Sequence, residues 1–160
     1  MIRKIKNPFD QTKPENYNCF GCSPHNKIGL QLQFFEEDDE MFSTWEPQRY
    51  LEGYPGVVHG GIQSLLLDEI GGWTVYIKCQ TAGVTTKMEV DYHHPLRIER
   101  GDITVRGKLV EQQGRTAVIK ASLFDGSGKL CTEAMVTYFV YPEKIARERF
   151  FYPGVEAFYE

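Results

Sequence analysis

The residues with the clearest chemical potential are His59, Gly60 and Gly61, which stand directly before a predicted helix. Glycines at the start of a helix leave the first backbone N–H groups accessible, and these groups lie at the positive end of the helix dipole. Such a position suits an oxyanion or a phosphate, and an adjacent histidine could orient or polarise a carbonyl. By its spacing alone, however, the motif more often marks a loop-to-helix junction that the histidine caps.

Two neighbouring acids, Asp68 and Glu69, are the candidates for a base or nucleophile within the same helix. Asp68 falls beside the apolar stripe of the helix, on a flank that it shares with Gly61, Ser64 and Gly72. Glu69 falls nearer the middle of that stripe, where a charge is costly unless it is paired. Exposure to solvent is the common fate of a helix aspartate. These arguments leave the choice between the two acids open.

The length of the helix limits what His59 and Asp68 can do together. Nine residues of α-helix rise about 13 Å, whereas general-base or nucleophilic catalysis needs contact at about 3 Å. The Asp68 carboxylate therefore cannot reach an atom held at the N-terminus of its own helix. If both features serve one reaction, a second subunit must supply one of them, so the sequence predicts an oligomer with shared sites.

The periodicity of apolar residues predicts the elements that position these groups. One helical stripe recurs at three- and four-residue steps and comprises Ile62, Leu65, Leu66, Ile70, Trp73 and Ile77. Two short strands, from Leu30 and over Met41–Trp45, are predicted around an acidic turn at 36–40. Four strands with a period of two follow, and the first is predicted to share one face among Val84, Thr86, Met88, Val90 and Tyr92. This order predicts an α+β fold in which an antiparallel sheet of five or six strands wraps around one long central helix.

The composition sets the broad class of the protein. A chain of 160 residues suits one domain, and we predict a body at 30–141, a loop-like segment at 1–29 and a tail at 142–160. The net charge is −4, from 18 lysines and arginines against 22 aspartates and glutamates, without the basic excess typical of nucleic-acid binding. The N-terminus lacks a signal-like apolar run, and the longest apolar stretch contains acids. We therefore expect a cytoplasmic protein that binds neither nucleic acid nor membranes.

Several motifs of this chain resemble those of one enzyme family. The run Glu52–Gly61, followed by Asp68, resembles the signature of hotdog-fold acyl-CoA thioesterases of the PaaI-like group. The segment from Asn18 through Cys19 and Cys22 to Leu30 is similar to a cysteine-containing segment in one branch of that group. The layout of the strand 83–92 also matches, so the resemblance covers roughly residues 18–140.

The resemblance implies a role for each matching residue. The Gly60 N–H, with Gly61 beside it, would form the oxyanion site for the thioester carbonyl, and His59 would help to position that carbonyl. Asp68 would act from the partner subunit as general base or nucleophile, and the Thr85 hydroxyl would hold the attacking water. The family implies a homodimer or tetramer that uses no metal and no organic cofactor, since coenzyme A is part of the substrate.

The chain also departs from the family pattern at three positions. Some members carry an asparagine six residues before the motif histidine, where this chain has Gly53. Lys27 and Ser23 stand where the family often has proline and glycine.

Two further groups are candidates for binding the substrate. Arg97, Arg100, Arg106 and Lys108 form a basic cluster that either contacts the phosphates of coenzyme A or is an ordinary solvated face. We assign Arg97, Arg100 and Lys108 to substrate binding. His94 ends a strand just before Pro95 and is predicted to line a ligand groove.

A metal site is the weaker interpretation of the cysteines. Cys19 and Cys22, with His25 nearby, resemble half of a zinc site, but a structural site needs four ligands in paired clusters. Cys79 and Cys131 stand alone in the sequence. We therefore predict a structural turn and no metal.

Acyl-CoA hydrolysis to a free acid and coenzyme A is the function that the sequence favours. One alternative is a non-catalytic domain that binds acyl-CoA, which would have no need of Asp68. Another is a hotdog dehydratase or hydratase, which would need a histidine and a carboxylate in a different local motif.

Overall fold

The computed structural model describes residues 1–12 and 16–159. Residues 13–15 of the predicted loop segment and residue 160 of the predicted tail lie outside the described residues. The described strands are β1 (Ile2–Ile5), β2 (Phe34–Glu37), β3 (Glu40–Trp45), β4 (Gly83–Tyr92), β5 (Ile103–Gln113), β6 (Thr116–Phe124) and β7 (Leu130–Val140). The α-helices are α1 (Phe9–Thr12), α2 (Gly60–Thr74) and α3 (Glu143–Phe150), and α2 continues into a π-helical turn at Val75–Cys79.

The strands form one antiparallel sheet against which α2 packs. Their order is β1-β2-β3-β5-β6-β7-β4, and the helix buries Leu66, Leu67, Ile70 and Trp73 against the sheet. The helix approaches the sheet closely at Gly107 of β5, where an added Cβ would lie 2.6 Å from the Thr74 hydroxyl oxygen. An antiparallel sheet around one long central helix is the predicted α+β hotdog architecture, which the structure confirms with seven strands instead of five or six.

The seventh strand comes from the segment predicted to be loop. β1 pairs with β2 so that Arg3 lies opposite Glu36 and Ile2 opposite Glu37. Opposite charges across neighbouring strands stabilise such a pair. The apolar pattern of this short basic strand is weak because Ile5 alone of its residues is buried, so periodicity did not reveal it.

The strand predicted from Leu30 begins four residues later, at Phe34. The N–H groups of Leu30 and Leu32 bond to the carbonyls of Phe20 and Gly21, and not to another strand. Gln31 adopts a left-handed backbone with φ of 51°, which interrupts an extended strand. The alternation of buried side chains was therefore correct, but the backbone pairing was not.

β4 corrects the predicted face of the strand. Thr85 lies opposite Tyr138 and Lys87 opposite Thr137, so Thr86 is the extra residue of a β-bulge. A bulge shifts the alternation of side chains by one residue. Val84 therefore points outward, and Thr85 shares the helix-facing side with Met88, contrary to the prediction that grouped Val84 and Thr86 with Met88.

Aromatic side chains from both ends of the chain join the central core. Phe9 near the N-terminus and Phe158 near the C-terminus are fully buried. The Phe158 ring lies 5.7 Å from that of Phe9 and 5.8 Å from that of Trp73, both edge to face. The segments 1–29 and 142–160 thus contribute to the packing around the end of α2.

Within the described residues, no helix combines the length and the apolar character needed to cross a membrane.

Asp125 determines the turn between β6 and β7. Its buried carboxylate accepts hydrogen bonds from the Ser127 hydroxyl (2.6 Å), from the Ser127 and Lys129 N–H groups (2.9 and 3.1 Å) and from Arg100 (3.1 Å). These partners, the Ser127 hydroxyl above all, lower the pKa of the Asp125 carboxyl to about 2, from 3.8.

A group with a lowered folded-state pKa stabilises the protein above its unfolded pKa, and this contribution disappears as the pH falls through the folded value. We expect Asp125→Ala to lower the melting temperature by a few degrees at neutral pH and the difference to narrow between pH of about 4 and about 2. Thermal unfolding against pH measures this, with Asp102→Ala, an exposed acid, as control. A difference that stays constant down to the acid limit would contradict the assignment.

Candidate functional site

His59 caps the N-terminus of α2. Its backbone is extended, and its Nδ1 atom accepts a hydrogen bond of 2.8 Å from the Gly61 N–H. A neutral imidazole whose Nδ1 accepts carries its proton on Nε2, so the ring presents a second donor. The capping interpretation of the motif is therefore correct, and it leaves the ring able to donate.

The Gly60 N–H is a candidate donor at this helix end. The Gly61 N–H is occupied by the His59 ring, whereas no acceptor for the Gly60 N–H is found among the described residues. The first N–H groups of a helix point along its axis at the positive end of its dipole. In this conformation Gly60, and not Gly61, offers its N–H to an oxyanion.

Tyr92 covers the same end of the helix, a position that the sequence did not predict. Its hydroxyl donates to the Gly60 carbonyl at 3.0 Å and lies 2.8 Å from the Ser64 hydroxyl. The sequence placed Tyr92 on the correct face of β4 but gave no sign that its hydroxyl would reach α2. Its position as the last residue of that strand was the available signal.

A cavity of about 650 Å³ opens beside this helix end. This volume is within the usual range for small-molecule sites, about 300–1,000 Å³. Its walls are largely apolar, and His59 and His94 both line it. The lining residues include Gly53, Tyr54, His59, Gly60, Tyr92 and His94.

Asp68 lies at the other end of β4, held by two hydroxyl groups. Its Oδ1 atom accepts from Thr85 at 2.7 Å. The single Tyr138 hydroxyl proton is shared between the Asp68 carbonyl at 2.8 Å and Oδ1 at 3.0 Å. Tyr138 fits only because Gly71 has no side chain, since an added Cβ would lie 2.2 Å from the tyrosine hydroxyl. Burial and the neighbouring Asp68 charge raise the pKa of Tyr138, so Tyr138 remains a donor at neutral pH.

Tyr138 is the second residue that the sequence analysis missed. The available signal was the pair Gly71-Gly72, because glycines within a helix leave room for a close neighbour. The group that approaches Gly71 is a side chain from β7, and nothing in the sequence specifies which one.

Glu69 points away from Asp68 into a separate environment. It accepts a hydrogen bond from the Trp73 indole N–H at 3.2 Å, and the Cys19 sulfur lies 3.6 Å away. Burial raises the pKa of the Glu69 carboxyl to about 7. The structure thus separates the two adjacent acids, and Asp68 is the one beside the exposed side of β4.

The predicted basic cluster does not assemble at the cavity. Arg100 pairs with Asp125 at 3.1 Å, and Lys108 pairs with Asp39 at 2.9 Å. Because Gly107 faces α2, its neighbour Lys108 points to the opposite face of the sheet. The backbone of Arg97 bridges to Val57, a residue of the cavity wall, so Arg97 is the member that lies near the site.

Comparisons with known sequences point to one superfamily. The family model described as thioesterase superfamily matches residues 55–132, which include His59, Asp68 and Thr85. A protein of Saccharolobus solfataricus named as a provisional esterase is 29% identical over 119 residues. That match covers 74% of this chain and 77% of the relative.

Solved structures agree with this result. A thioesterase superfamily protein superimposes with a TM-score of 0.68 at 26% identity, over 76% of this chain and 59% of that protein. A hypothetical thioesterase protein from Streptococcus pneumoniae, solved with coenzyme A, gives a TM-score of 0.61 at 25% identity, over 67% of this chain and 85% of that one. The predicted resemblance to hotdog-fold proteins of the thioesterase superfamily is confirmed.

The cap at His59 generates a prediction about stability. An N-cap hydrogen bond contributes about 1 kcal/mol, and asparagine is one of the best capping residues. We expect His59→Ala to lower the melting temperature by a few degrees and His59→Asn to retain most of the wild-type value. Differential scanning calorimetry measures both, with His94→Ala as the control for loss of an exposed histidine. Equal stability of His59→Ala and wild type would show that the ring does not cap the helix.

Proposed function

We propose that this protein is an acyl-CoA thioesterase, which hydrolyses an acyl-CoA to a free acid and coenzyme A in sites shared between subunits. The observation that carries the proposal is that α2 presents two different functional groups at two separate positions. Its N-terminus offers the Gly60 N–H beside an apolar cavity, and its middle holds the Asp68 carboxylate on two hydroxyl groups.

The Gly60 end suits the thioester carbonyl. A backbone N–H at the positive end of a helix stabilises the negative charge that develops on the carbonyl oxygen during attack. The Nε2–H of His59 supplies a second donor next to it. Apolar cavity walls exclude water and so strengthen both interactions.

The Asp68 end suits activation of water. Thr85 donates to Oδ1, and the Tyr138 hydroxyl contacts both Oδ1 and the Asp68 carbonyl, which fixes the carboxylate and leaves Oδ2 for a water molecule. Asp68 takes a proton from this water as the water oxygen bonds to the carbonyl carbon. The carbon–sulfur bond then breaks, and the leaving thiolate of coenzyme A takes the proton that Asp68 removed from the water. Attack by the carboxylate itself, through an anhydride, is the nucleophilic version of the same geometry.

β4 supports the proposal that two subunits share each site. It is an edge strand of the sheet. Thr85, near its start, bonds to Asp68, and Tyr92, at its end, bonds to the Gly60 carbonyl. An edge strand has unpaired backbone groups that can pair with another chain. In a two-fold antiparallel pairing of β4 with its copy, the start of one strand lies beside the end of the other. The Asp68 end of one subunit would then meet the Gly60 end of its partner.

The superfamily match supports the reaction class, and the solved relative with coenzyme A supports the ligand class. For coenzyme A binding in this chain we propose the cavity beside His94, with Arg97, whose backbone bridges to Val57 of the cavity wall, as the cation. Arg100 and Lys108 are engaged in ion pairs and would have to exchange partners to bind a phosphate.

A domain that binds acyl-CoA without turnover is the second candidate. The observation that favours it is Gly53, which lies against His59, so that a Cβ there would contact the His59 Cα at 3.4 Å. This chain therefore lacks the side-chain donor that some family members have at this position. The binding hypothesis gives no reason for the two hydroxyl groups on Asp68, and so we favour catalysis.

Replacing Asp68 tests the proposed reaction. We expect the wild type to hydrolyse at least one member of a panel of short-chain, long-chain and aromatic acyl-CoA thioesters. Asp68→Asn keeps the shape of the side chain but removes the base, and we expect its kcat to fall by about a hundredfold or more.

Release of free thiol measures both rates, and Asp91→Asn, an exposed acid on β4, is the matched control. Full activity of Asp68→Asn would disprove the assigned role. Binding of acyl-CoA by the wild type without cleavage of any thioester would establish the binding domain instead.

The Gly60 N–H can be deleted without deleting the helix. Proline is favoured at the first position of a helix and has no N–H, and His59 has ψ of 135°, which suits a residue before proline. We expect Gly60→Pro to lower kcat by about 10²–10³-fold, the usual effect of losing an oxyanion donor.

Gly60→Ala is the control because it keeps the N–H, and its Cβ would meet Tyr92 at an ordinary 3.6 Å. Circular dichroism checks that both variants retain the helix. Equal kcat for the two variants would exclude the Gly60 N–H as the oxyanion donor.

A further inference from the structure

A second group of reactive side chains lies where the N-terminal segment crosses α2. The Sγ atoms of Cys19 and Cys22 and a carboxylate oxygen of Glu69 all lie within 4.8 Å of one another. Cys22 is buried, and the other two are half-buried. The proposed thioesterase chemistry uses none of these residues.

Local structure brings the two cysteines to the same side of the chain. The Ser23 N–H bonds to the Cys19 carbonyl at 3.0 Å, which closes a turn around Cys22. Gly21 within this turn has no side chain, and an added Cβ would lie 2.4 Å from the Glu69 carboxyl carbon. The turn is therefore shaped around the carboxylate of α2.

The separation of Cys19 from Glu69 fits a tetrahedral metal ion. With bond lengths of about 2.3 Å to sulfur and about 2.1 Å to oxygen, two ligands of a tetrahedral zinc ion lie about 3.6 Å apart. The Cys19 sulfur lies 3.6 Å from Glu69 Oε1 and 3.9 Å from Oε2. The same distance also fits a hydrogen bond from the Cys19 thiol to the carboxylate.

The surroundings resemble the outer shell of a metal site. The Trp73 indole N–H donates to Glu69 Oε1 at 3.2 Å, which orients the carboxylate. The Tyr17 hydroxyl lies 2.9 Å from the Cys22 sulfur and accepts a hydrogen bond of 3.2 Å from the Asn7 amide. Tyr17 therefore places one more oxygen beside the cluster.

Charge gives a reason for a cation at this position. A carboxylate with two thiols beside it, on the apolar side of a helix, carries a cost that a paired cation would remove. Its polar partners are the Trp73 indole and the cysteines. A divalent ion bound by two thiolates and one carboxylate would offset most of their negative charge.

We propose that Cys19, Cys22 and Glu69 bind one zinc ion, with the Tyr17 oxygen or a water molecule as the fourth ligand. Thiolate sulfur selects zinc over hard cations such as magnesium and calcium. The two thiols lose their protons to solvent on binding. The ion fastens the turn at 19–22 to the middle of α2, and its role is structural.

This site differs from the half-site suggested by the sequence. His25, the third ligand suggested there, pairs with Asp10 on the exposed side of the turn. Glu69 takes its place from α2, about 50 positions along the chain. Sequence spacing could not supply this ligand because it belongs to another element.

Zinc content and cobalt spectra test the proposal on the full-length protein under reducing conditions. We expect the metal-free wild type to bind one zinc ion per chain in competition with a chromophoric chelator, and its melting temperature to rise on binding. Cobalt in place of zinc should show thiolate-to-cobalt absorption and tetrahedral ligand-field bands. Cys19→Ser and Glu69→Gln should each weaken zinc binding by tenfold or more, by analogy with losses at other metal sites.

Cys79→Ser is the matched control, because it removes a thiol outside the cluster and should leave zinc binding unchanged. Absence of stoichiometric zinc binding in folded wild type, or unchanged affinity in Cys19→Ser, would overturn the proposal. If the variants do not fold, the wild-type cobalt spectrum decides alone, and a spectrum without thiolate-to-cobalt absorption overturns it. A Cys19–Cys22 disulfide in protein that binds no zinc after reduction would also overturn it.

Discussion

The rigidity of α2 is the constraint on which the rest of this structure depends. A helix fixes the separation of its N-terminus from a side chain in its middle, at about 1.5 Å per residue. The Gly60 N–H and the Asp68 carboxylate therefore cannot meet on one chain. In the proposed function each forms half of a site. A neighbour from the sheet contacts each group: Tyr92 lies at Gly60, and Thr85 with Tyr138 lies at Asp68.

β4 links these two halves because it runs along α2 at the edge of the sheet. Its bulge at Thr86 is the local feature that matters most, since it turns Thr85 inward to Asp68 while Met88 and Tyr92 keep their inward faces. Without the extra residue, the alternation along the strand would place Thr85 and Tyr92 on opposite faces. The irregularity in the strand is thus what allows one edge to serve both halves.

The sequence predicted the parts of this architecture that depend on local pattern. The helix and the hairpins follow from periodicity and turn residues. The roles of His59 and Asp68, inferred from glycines at a helix start and from family motifs, stay predictions. Tyr138 and Tyr92 could not be predicted, because their roles depend on a hydroxyl reaching another element across the fold. The bulge misled the assignment of faces for the same reason. Arg100 and Lys108 do not join the cavity because acids in two turns, Asp125 and Asp39, pair with them.

Mixed oligomers test the central claim of shared sites most directly. Chains carrying Gly60→Pro and chains carrying Asp68→Asn, each inactive alone, are co-expressed with different tags, and the mixed species is isolated. If each site takes Gly60 from one subunit and Asp68 from the other, every mixed dimer retains one intact site of two and should recover about half of the wild-type rate per dimer. Verified mixed dimers that remain as inactive as either parent would contradict the claim.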